Sequence, residues 1–317
     1  MNAWLKMGKW LGAHMMFIAP LCVLCGVMWP EVFSTYKPLV PFLFAVMTFQ
    51  GSLNNNVKSV LEVFRHPRYM LAILAVTAVV MPALARLLAG VLFAGNPELV
   101  VGITLEYCVP VAVVCFMWTG MYEGNLSLAL ATILTSTVLA PFTIPLTLKV
   151  LLGETVQVDV LSMMRDMVIM IAVPALLGMV VNETTHGWGH QKLSPALSPA
   201  ARILLMFIIA SNSTAMSSYM RNLTPELVGA MVFILAFATF GFCLGAGAAK
   251  LLRVNTPTFV TICFAVGLRN ISAGSVLAAQ FFPGAAIVPV MMGTLFQQVL
   301  AGVFGGAMEK MLAGRKG

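Results

Sequence analysis

Residues 256–282 form an apolar run long enough to cross a bilayer, with Gly267, Arg269 and Asn270 at its centre. An Arg in the middle of a spanning helix costs about 2.5–3.5 kcal/mol on insertion scales, so such a residue faces a protein partner or a cavity. Gly267 favours an interruption, and interrupted helices form the binding sites of secondary transporters. The guanidinium group could bind released carbonyls or a substrate carboxylate. Snorkelling of Arg269 to the interface is the alternative, and the long apolar flanks argue against it.

Glu106 is a second ionisable residue inside an apolar run, one turn before Pro110. Pro110 removes a backbone hydrogen bond and clashes with the preceding turn, which predicts a break there. Three roles for Glu106 stay open: a proton-binding carboxylate, a partner for Arg269, or an interfacial residue near the outer mouth.

Neutral polar residues are the remaining candidates. Ser211, Asn212 and Ser213 could donate hydrogen bonds to a substrate, or their side chains could bind the backbone of their own helix. Gln297 and Gln298 lie in the middle of the last apolar run, and we expect one of them to face the core.

The composition is that of an integral membrane protein. The 317 residues are 60% hydrophobic and 9% charged, whereas a soluble domain has about a quarter charged residues. The net charge of +7 then reflects loop bias and not a nucleic-acid partner, so the bilayer is the expected surrounding. No nucleotide-binding loop, metal cluster or catalytic triad is evident, and we expect neither an enzyme nor a bound cofactor.

The apolar runs predict ten spans, with about 20 residues needed for each. We place them at roughly 10–29, 38–56, 69–93, 97–122, 125–152, 158–182, 198–220, 225–251, 256–281 and 284–308. Twelve Lys or Arg residues fall on the side of both termini and five on the other side. The positive-inside rule therefore predicts a multi-pass protein of the cell inner membrane with both termini cytoplasmic.

An internal repeat relates the two halves. Pro20 and Pro174 occupy similar contexts in the first and sixth predicted spans, and polar runs end the second and seventh, at an offset of about 154–164 residues. Five spans per half make the second half inverted, as in many secondary transporters. The offset also carries Arg269 to Ala112, beside Pro110, which predicts an all-α fold of two inverted five-helix repeats with broken, crossing fourth and ninth helices.

At this point the sequence resembles the bile acid:sodium symporter family over nearly its whole length. The matching motifs are Cys108-x-Pro110, Thr119, Gly124-Asn125, Ser136-Thr137 and Pro141 in the first half, and Phe264-x-Val266-Gly267-x-x-Asn270 in the second. The resemblance implies a panel domain (residues 1–68 and 153–224) and a core domain (residues 69–152 and 225–317). It also implies a substrate cavity between the two domains and inward transport of organic anions, usually with two sodium ions.

The sequence departs from the family at the implied sodium ligands. Ala265 and Arg269 stand where the family's ninth span has Glu and Gln. The other substituted positions are Cys115 and Phe116 in place of a Ser-Asn pair, and Ala129 and Ile133 in place of two hydroxyl residues. Hard cations need oxygen donors, and a fixed positive charge at 4 Å repels a second one by about 4 kcal/mol at an effective dielectric of 20. The substitutions predict that the sodium sites are lost, with the proton as the other candidate coupling ion.

These observations together predict a secondary transporter of a small organic anion, bile-acid-like or another carboxylate, that works by alternating access. Arg269 would take the place of the cation, as a group that holds the two broken helices or attracts the substrate. A sodium-coupled organic anion symporter and a passive anion channel are the alternatives, the latter because an Arg at a constriction selects anions.

Overall fold

The computed structural model describes residues 2–54, 67–153, 159–282 and 284–313, and within these ranges the regular structure is helical. The α-helices of the first half are α1 (Asn2–Ala13), α2 (Met15–Met28), α3 (Pro30–Ser34), α4 (Val40–Ser52), α5 (Pro67–Ala75), α6 (Met81–Leu92), α7 (Pro97–Cys108), α8 (Val114–Met121) and α9 (Leu126–Leu152). Those of the second half are α10 (Val160–Met167), α11 (Val173–Thr184), α12 (Ser194–Ser213), α13 (Ser217–Arg221), α14 (Pro225–Leu251), α15 (Thr256–Gly267), α16 (Ile271–Phe281) and α17 (Ile287–Ala313).

Six helical runs in the described ranges are long and apolar enough to cross a membrane, and a seventh is counted if one bent pair is taken as a single span. They are Pro67–Leu92, Leu126–Leu152, Val160–Thr184, Gly189–Arg221, Pro225–Leu251 and Gly284–Met311, and the bent pair is Ala3–Gly12 with Phe17–Met28. The chain is therefore a multi-pass membrane protein. The second predicted span corresponds to the short α4, the fourth to α7 with α8, and the ninth to α15 with α16.

Some predictions fall outside the described residues. These are the ends of two predicted spans, at 55–56 and 158, and four of the cations used for the orientation, Lys58, Arg65, Arg315 and Lys316.

The first predicted span, at 10–29, is not one straight helix. α1 ends at Ala13, α2 begins at Met15, and the two helices are bent by 82°. His14 lies at the bend, with its ring stacked on that of Trp10 one turn earlier and Nδ1 2.9 Å from the Trp10 carbonyl oxygen. The apolar count could not detect this bend because residues 10–13, which precede it in the predicted span, carry no charge.

Three long runs contain a widened helical turn that ends two residues before a proline. The turns are Val76–Val80, Val168–Ala172 and Gly189–Leu193, followed by Pro82, Pro174 and Pro195. Proline lacks an N–H and its ring clashes with the preceding turn, and a widened turn relieves that clash. In the first case the Met81 N–H donates to Val76, five residues back. With the same five-residue spacing, the N–H of residue 82 would donate to the Thr77 carbonyl, but Pro82 has no N–H. The Thr77 carbonyl can therefore accept from another donor.

The helices pack in two groups. In one group α12 packs against α1, α2 and α4, and α11 packs against α4. In the other group α14 packs against α15 and α17, α6 against α7, and α17 against α7 and α16. Within the second group α7 is buried at every position over 99–108 and α15 over 258–267. Helices buried on all sides lie at the centre of the protein.

Candidate functional site

The two interrupted helices meet at their interruptions. α7 ends at Cys108 and α8 begins at Val114, while α15 ends at Gly267 and α16 begins at Ile271. The extended residues between them pair as an isolated antiparallel bridge between Val111 and Arg269. The Ala112 N–H donates to the Leu268 carbonyl at 3.2 Å, and the Asn270 N–H donates to the Pro110 carbonyl at 2.8 Å. The breaks predicted near residues 109–113 and 267–270 are confirmed. The backbone groups freed at each break form hydrogen bonds with those of the other.

Pro110 accounts for the first interruption. Val109, just before it, is extended (φ −68°, ψ 154°), as steric contact with a following proline favours. The next N–H, that of Val111, donates to the Ser136 hydroxyl of α9 at 3.3 Å. Since Val111 is fully buried, this hydroxyl satisfies a donor that would otherwise be stranded away from water.

Gly267 and Asn270 bound the second interruption. A Cβ on Gly267 would overlap the ring of Phe242 in α14, so only glycine lets α15 end this close to its neighbour. Asn270 then caps α16, since its Oδ1 accepts the Ala273 N–H at 3.2 Å. Side-chain oxygens at this position satisfy the free donors of a helix start.

Arg269 lies at the bridge with 2% of its surface exposed. Its Nη1 donates to the Thr77 carbonyl at 3.1 Å and lies 3.5 Å from the Val109 carbonyl. Its backbone N–H donates to Gln297 Oε1 of α17 at 3.1 Å, so one of the two candidate glutamines does face the core. Nε and Nη2 are buried and have no hydrogen-bond partner among the described residues. The guanidinium group therefore links the first interruption to the widened turn before α6.

Thr77 and Ser136 were not predicted as parts of this site. Pro82 was the available signal for Thr77, because a proline two residues after a widened turn frees a carbonyl in it. The signal for Ser136 was its place in the family motif Ser136-Thr137, which did not indicate its partner; its hydroxyl also donates to the Ile133 carbonyl of its own helix, an ordinary position for a serine.

Glu106 is 1% exposed, so it is not an interfacial residue. It forms no ion pair with Arg269 within 4.0 Å, since the described residues contain the single pair Arg165–Asp166. Its Oε1 lies against Gly293 of α17, and its Oε2 has no partner in the described part of the chain. Of the three roles that the sequence left open, an interfacial position and a direct ion pair with Arg269 are not seen among the described residues. The proton-binding role stays a prediction.

The polar residues of α12 lie apart from the bridge. Asn212 Nδ2 donates to the Ser275 hydroxyl of α16 at 3.0 Å, while its Oδ1 and the Ser211 hydroxyl are buried without a partner in the described ranges. The Ser213 hydroxyl donates to the Ile209 carbonyl of its own helix. This is the backbone bonding that the sequence predicts as the alternative to substrate binding. Thr119 is also apart, buried in α8 with Oγ1 3.8 Å from the Cys115 sulfur.

A model of the Sodium Bile acid symporter family matches residues 40–222 of this chain. The protein YbaS of Bacillus subtilis, described as uncharacterized, is 36% identical over 291 residues, which cover 92% of this chain and 95% of that protein. The chain belongs to the sodium bile acid symporter family. Its members are transporters, so this chain is a membrane transporter of a small molecule and not an enzyme.

Two further relatives of this symporter family chain carry informative names. YocS of Bacillus subtilis, an "uncharacterized sodium-dependent transporter", is 24% identical over 92% of this chain and 90% of its own length. BASS1 of Arabidopsis thaliana, a chloroplastic "probable sodium/metabolite cotransporter", is 25% identical over 90% of this chain and 71% of its own length.

The side chains at the positions that the resemblance aligns with sodium ligands lack the oxygen atoms of such ligands. Cys115, Ala129 and Ala265 are fully buried and Ile133 is nearly so, but none of these side chains offers an oxygen; Phe116 is 40% exposed. The Thr132 hydroxyl close by in sequence donates to Leu128 of its own helix. In the described ranges no group of three or more His, Cys, Asp or Glu residues could hold a metal. Hard cations need several oxygen ligands, which this symporter family member does not assemble at those positions.

A separate pocket of about 230 Å³ lies where α14, α15 and α17 come together, away from the bridge. Its lining residues are Ala249, Lys250, Arg253, Val254, Thr256, Phe259 and Met311. None of the candidate site residues lines it.

Proposed function

We propose that this chain is a secondary transporter that moves a small organic anion by alternating access, without sodium and with Arg269 in place of the cation. The observation that carries the proposal is the buried guanidinium group, which donates to carbonyls at the first interruption and in the widened turn. A positive charge at a helix crossing is what a bound sodium would supply to the same carbonyl dipoles.

A structural role for the charge follows from its partners. A hydrogen bond to a charged group contributes about 1.5–3 kcal/mol, and Arg269 directs Nη1 at main-chain oxygens. With 2% of its surface exposed, the side chain is poorly placed to meet a substrate in this conformation. We therefore propose that Arg269 holds the interrupted helices together. Other donors would bind the carboxylate of the substrate.

Those other donors are Ser211 and Asn212, at the end of α12. Asn212 Nδ2 donates one of its two protons to Ser275, which connects the two packed groups of helices, and we assign its second proton to the substrate. The Ser211 hydroxyl has no partner among the described residues and can also donate. We assign the panel to residues 1–68 and 153–224 and the core to 69–152 and 225–317. The Asn212–Ser275 contact would then break and reform as the core moves against the panel.

The packing supports a ten-span inverted repeat for this mechanism. Val111 and Arg269, which pair at the bridge, are separated by 158 residues, inside the offset range that relates the two halves. We place both termini in the cytoplasm and the protein in the cell inner membrane, as the distribution of Lys and Arg favours.

A sodium-coupled symporter is the second candidate, favoured by the family description and by the names of YocS and BASS1. The two candidates differ in the ions that they need. We therefore suggest a thermal-shift screen of organic anions on the purified protein, with sodium and with choline, followed by uptake into proteoliposomes.

Uptake that saturates and shows counterflow is expected for the proposed transporter. A linear, unsaturable flux without counterflow would identify a passive channel instead, and uptake that requires sodium would identify the second candidate. Val150→Ala serves as a control variant, because this exposed side chain near the end of α9 is none of the candidate site or sodium positions.

A further inference from the structure

Glu106 and Arg269 are two buried ionisable side chains that stay apart. Arg269 Cζ lies 6.0 Å from the ring centre of Tyr107, the residue next to Glu106, yet the two side chains form no ion pair within 4.0 Å in the described structure. Glu106 Oε2 and Arg269 Nε and Nη2 are all buried and lack hydrogen-bond partners among the described residues. One carboxyl oxygen and two guanidinium donors are thus left without partners in the same region.

Among the described residues, no group donates a hydrogen bond to Glu106 Oε2. The helix α17 presents Gly293, whose missing side chain makes room for the carboxyl group, and Ile271 of α16 lies on the same side. On its own helix, Tyr107 donates its hydroxyl to the Ile234 carbonyl and Cys108 is buried. In the described part of the chain, Arg269 is the charged group that interacts with it. An ionised carboxylate without donors or a counter-ion is strongly disfavoured in such a place, whereas the neutral acid is tolerated.

We propose that Glu106 is a proton-binding site, and that its protonation decides whether Arg269 binds the carbonyls of Thr77 and Val109 or turns to the Glu106 carboxylate. In the conformation described here the proton is on the carboxyl group and Arg269 holds the carbonyls. Loss of the proton creates a charge that the unused Nε and Nη2 donors can reach as a planar fork. Because Arg269 bridges the first interruption, the proton then controls the packing at the crossing.

The coupling part of this inference rests on the proposed anion transport. The carboxyl group of Glu106 takes a proton from the more acidic side and releases it to the other side, with no bond broken other than its O–H. One proton carried with one singly charged anion moves no net charge. An inward gradient of one pH unit would then sustain an about tenfold accumulation of the anion.

Infrared spectroscopy of the full-length protein in lipid tests the site with the proton as the probe. Exposed carboxyl groups have pKa values of about 4 and are ionised at neutral pH, so a carboxylic-acid C=O band at pH 7 reports a buried acid. We expect this band in the wild type, its loss in Glu106→Gln, and its retention in Glu31→Gln, an exposed carboxylate of α3. Absence of the band from the wild type, or its persistence in Glu106→Gln, would overturn the proposal, and the wild-type spectrum decides even if the variant does not fold.

The coupling is tested with an anion from the thermal-shift screen. The ratio of uptake with and without an inward pH gradient should fall from about tenfold in the wild type to one in Glu106→Gln, and should be unchanged in Glu31→Gln. An equal ratio in wild type and Glu106→Gln would overturn the coupling. Failure to transport any anion would instead refute the proposed function, while the infrared result would still decide the proton site.

Discussion

The two helix interruptions face the same physical problem and use different groups to satisfy it. At the first, Pro110 removes a donor, and neutral groups satisfy the Val111 and Ala112 N–H groups and the Pro110 carbonyl, through the Ser136 hydroxyl and backbone contacts with the second interruption. At the second, a charged side chain, Arg269, reaches back to the Val109 carbonyl and to Thr77. Backbone pairing thus joins the two interruptions to each other, and the charge adds a link to a third segment, the widened turn before α6. The comparison indicates that the positive charge at the crossing is supplied by the chain itself.

Removing that charge should produce the largest effect. In Arg269→Gln the Thr77 and Val109 carbonyls lose a charged donor, which we expect to lower the free energy of unfolding by about 1.5–3 kcal/mol and to abolish anion transport. The measurements are the melting temperature and uptake in proteoliposomes. Arg165→Gln is the control, since this exposed Arg forms a surface ion pair with Asp166 of the kind that contributes about 0–1 kcal/mol. Wild-type stability and wild-type anion affinity in Arg269→Gln would show that Arg269 does neither job.

Arg269→Lys separates the two roles that the sequence leaves open for this residue. Lysine keeps the charge but not the planar fork. If Arg269 holds carbonyls, the variant should be more stable than Arg269→Gln, with anion affinity following stability. A selective loss of anion affinity at unchanged melting temperature would show instead that Arg269 binds the substrate and does not hold the helix crossing.

The first interruption should respond to a neutral change. Ser136→Ala leaves the buried Val111 N–H without its acceptor, and we expect a loss of about 1–3 kcal/mol in the free energy of unfolding. Thr143→Ala is the matched control in the same helix, because its exposed hydroxyl bonds only to Leu139 one turn earlier. Equal melting temperatures for the two variants would contradict the assignment of Ser136 to the break.

The start of α16 should give a smaller effect. Asn270→Ala removes the cap that accepts the Ala273 N–H, and such losses cost about 1 kcal/mol. Asn270→Ser keeps a capping oxygen and should restore most of the melting temperature. If Asn270→Ser were as unstable as Asn270→Ala, another function of the amide would have to be found.

The sequence indicated both interruptions because proline and glycine act on the backbone locally, at the residues where they stand. It also pointed to Arg269 and to a mid-span glutamine. It could not assign the partners of Arg269, because Thr77 lies far away in the chain and meets the guanidinium group only through helix packing. The role of Glu106 stayed open for the same reason, since burial against Gly293 and separation from Arg269 are properties of the packed structure. The bend at His14 could not be predicted from hydropathy, because the predicted span is uncharged on both sides of it.

The most direct test of the claim that Arg269 stands in for sodium is the stability of the wild-type protein in sodium and in choline at equal ionic strength. A ligand that binds the native state raises its stability by about 2.7 kcal/mol when present at a hundred times its Kd, so bound sodium would be visible as a higher melting temperature. The account predicts the same melting temperature in both salts at every concentration. A saturable increase that is specific to sodium would contradict it.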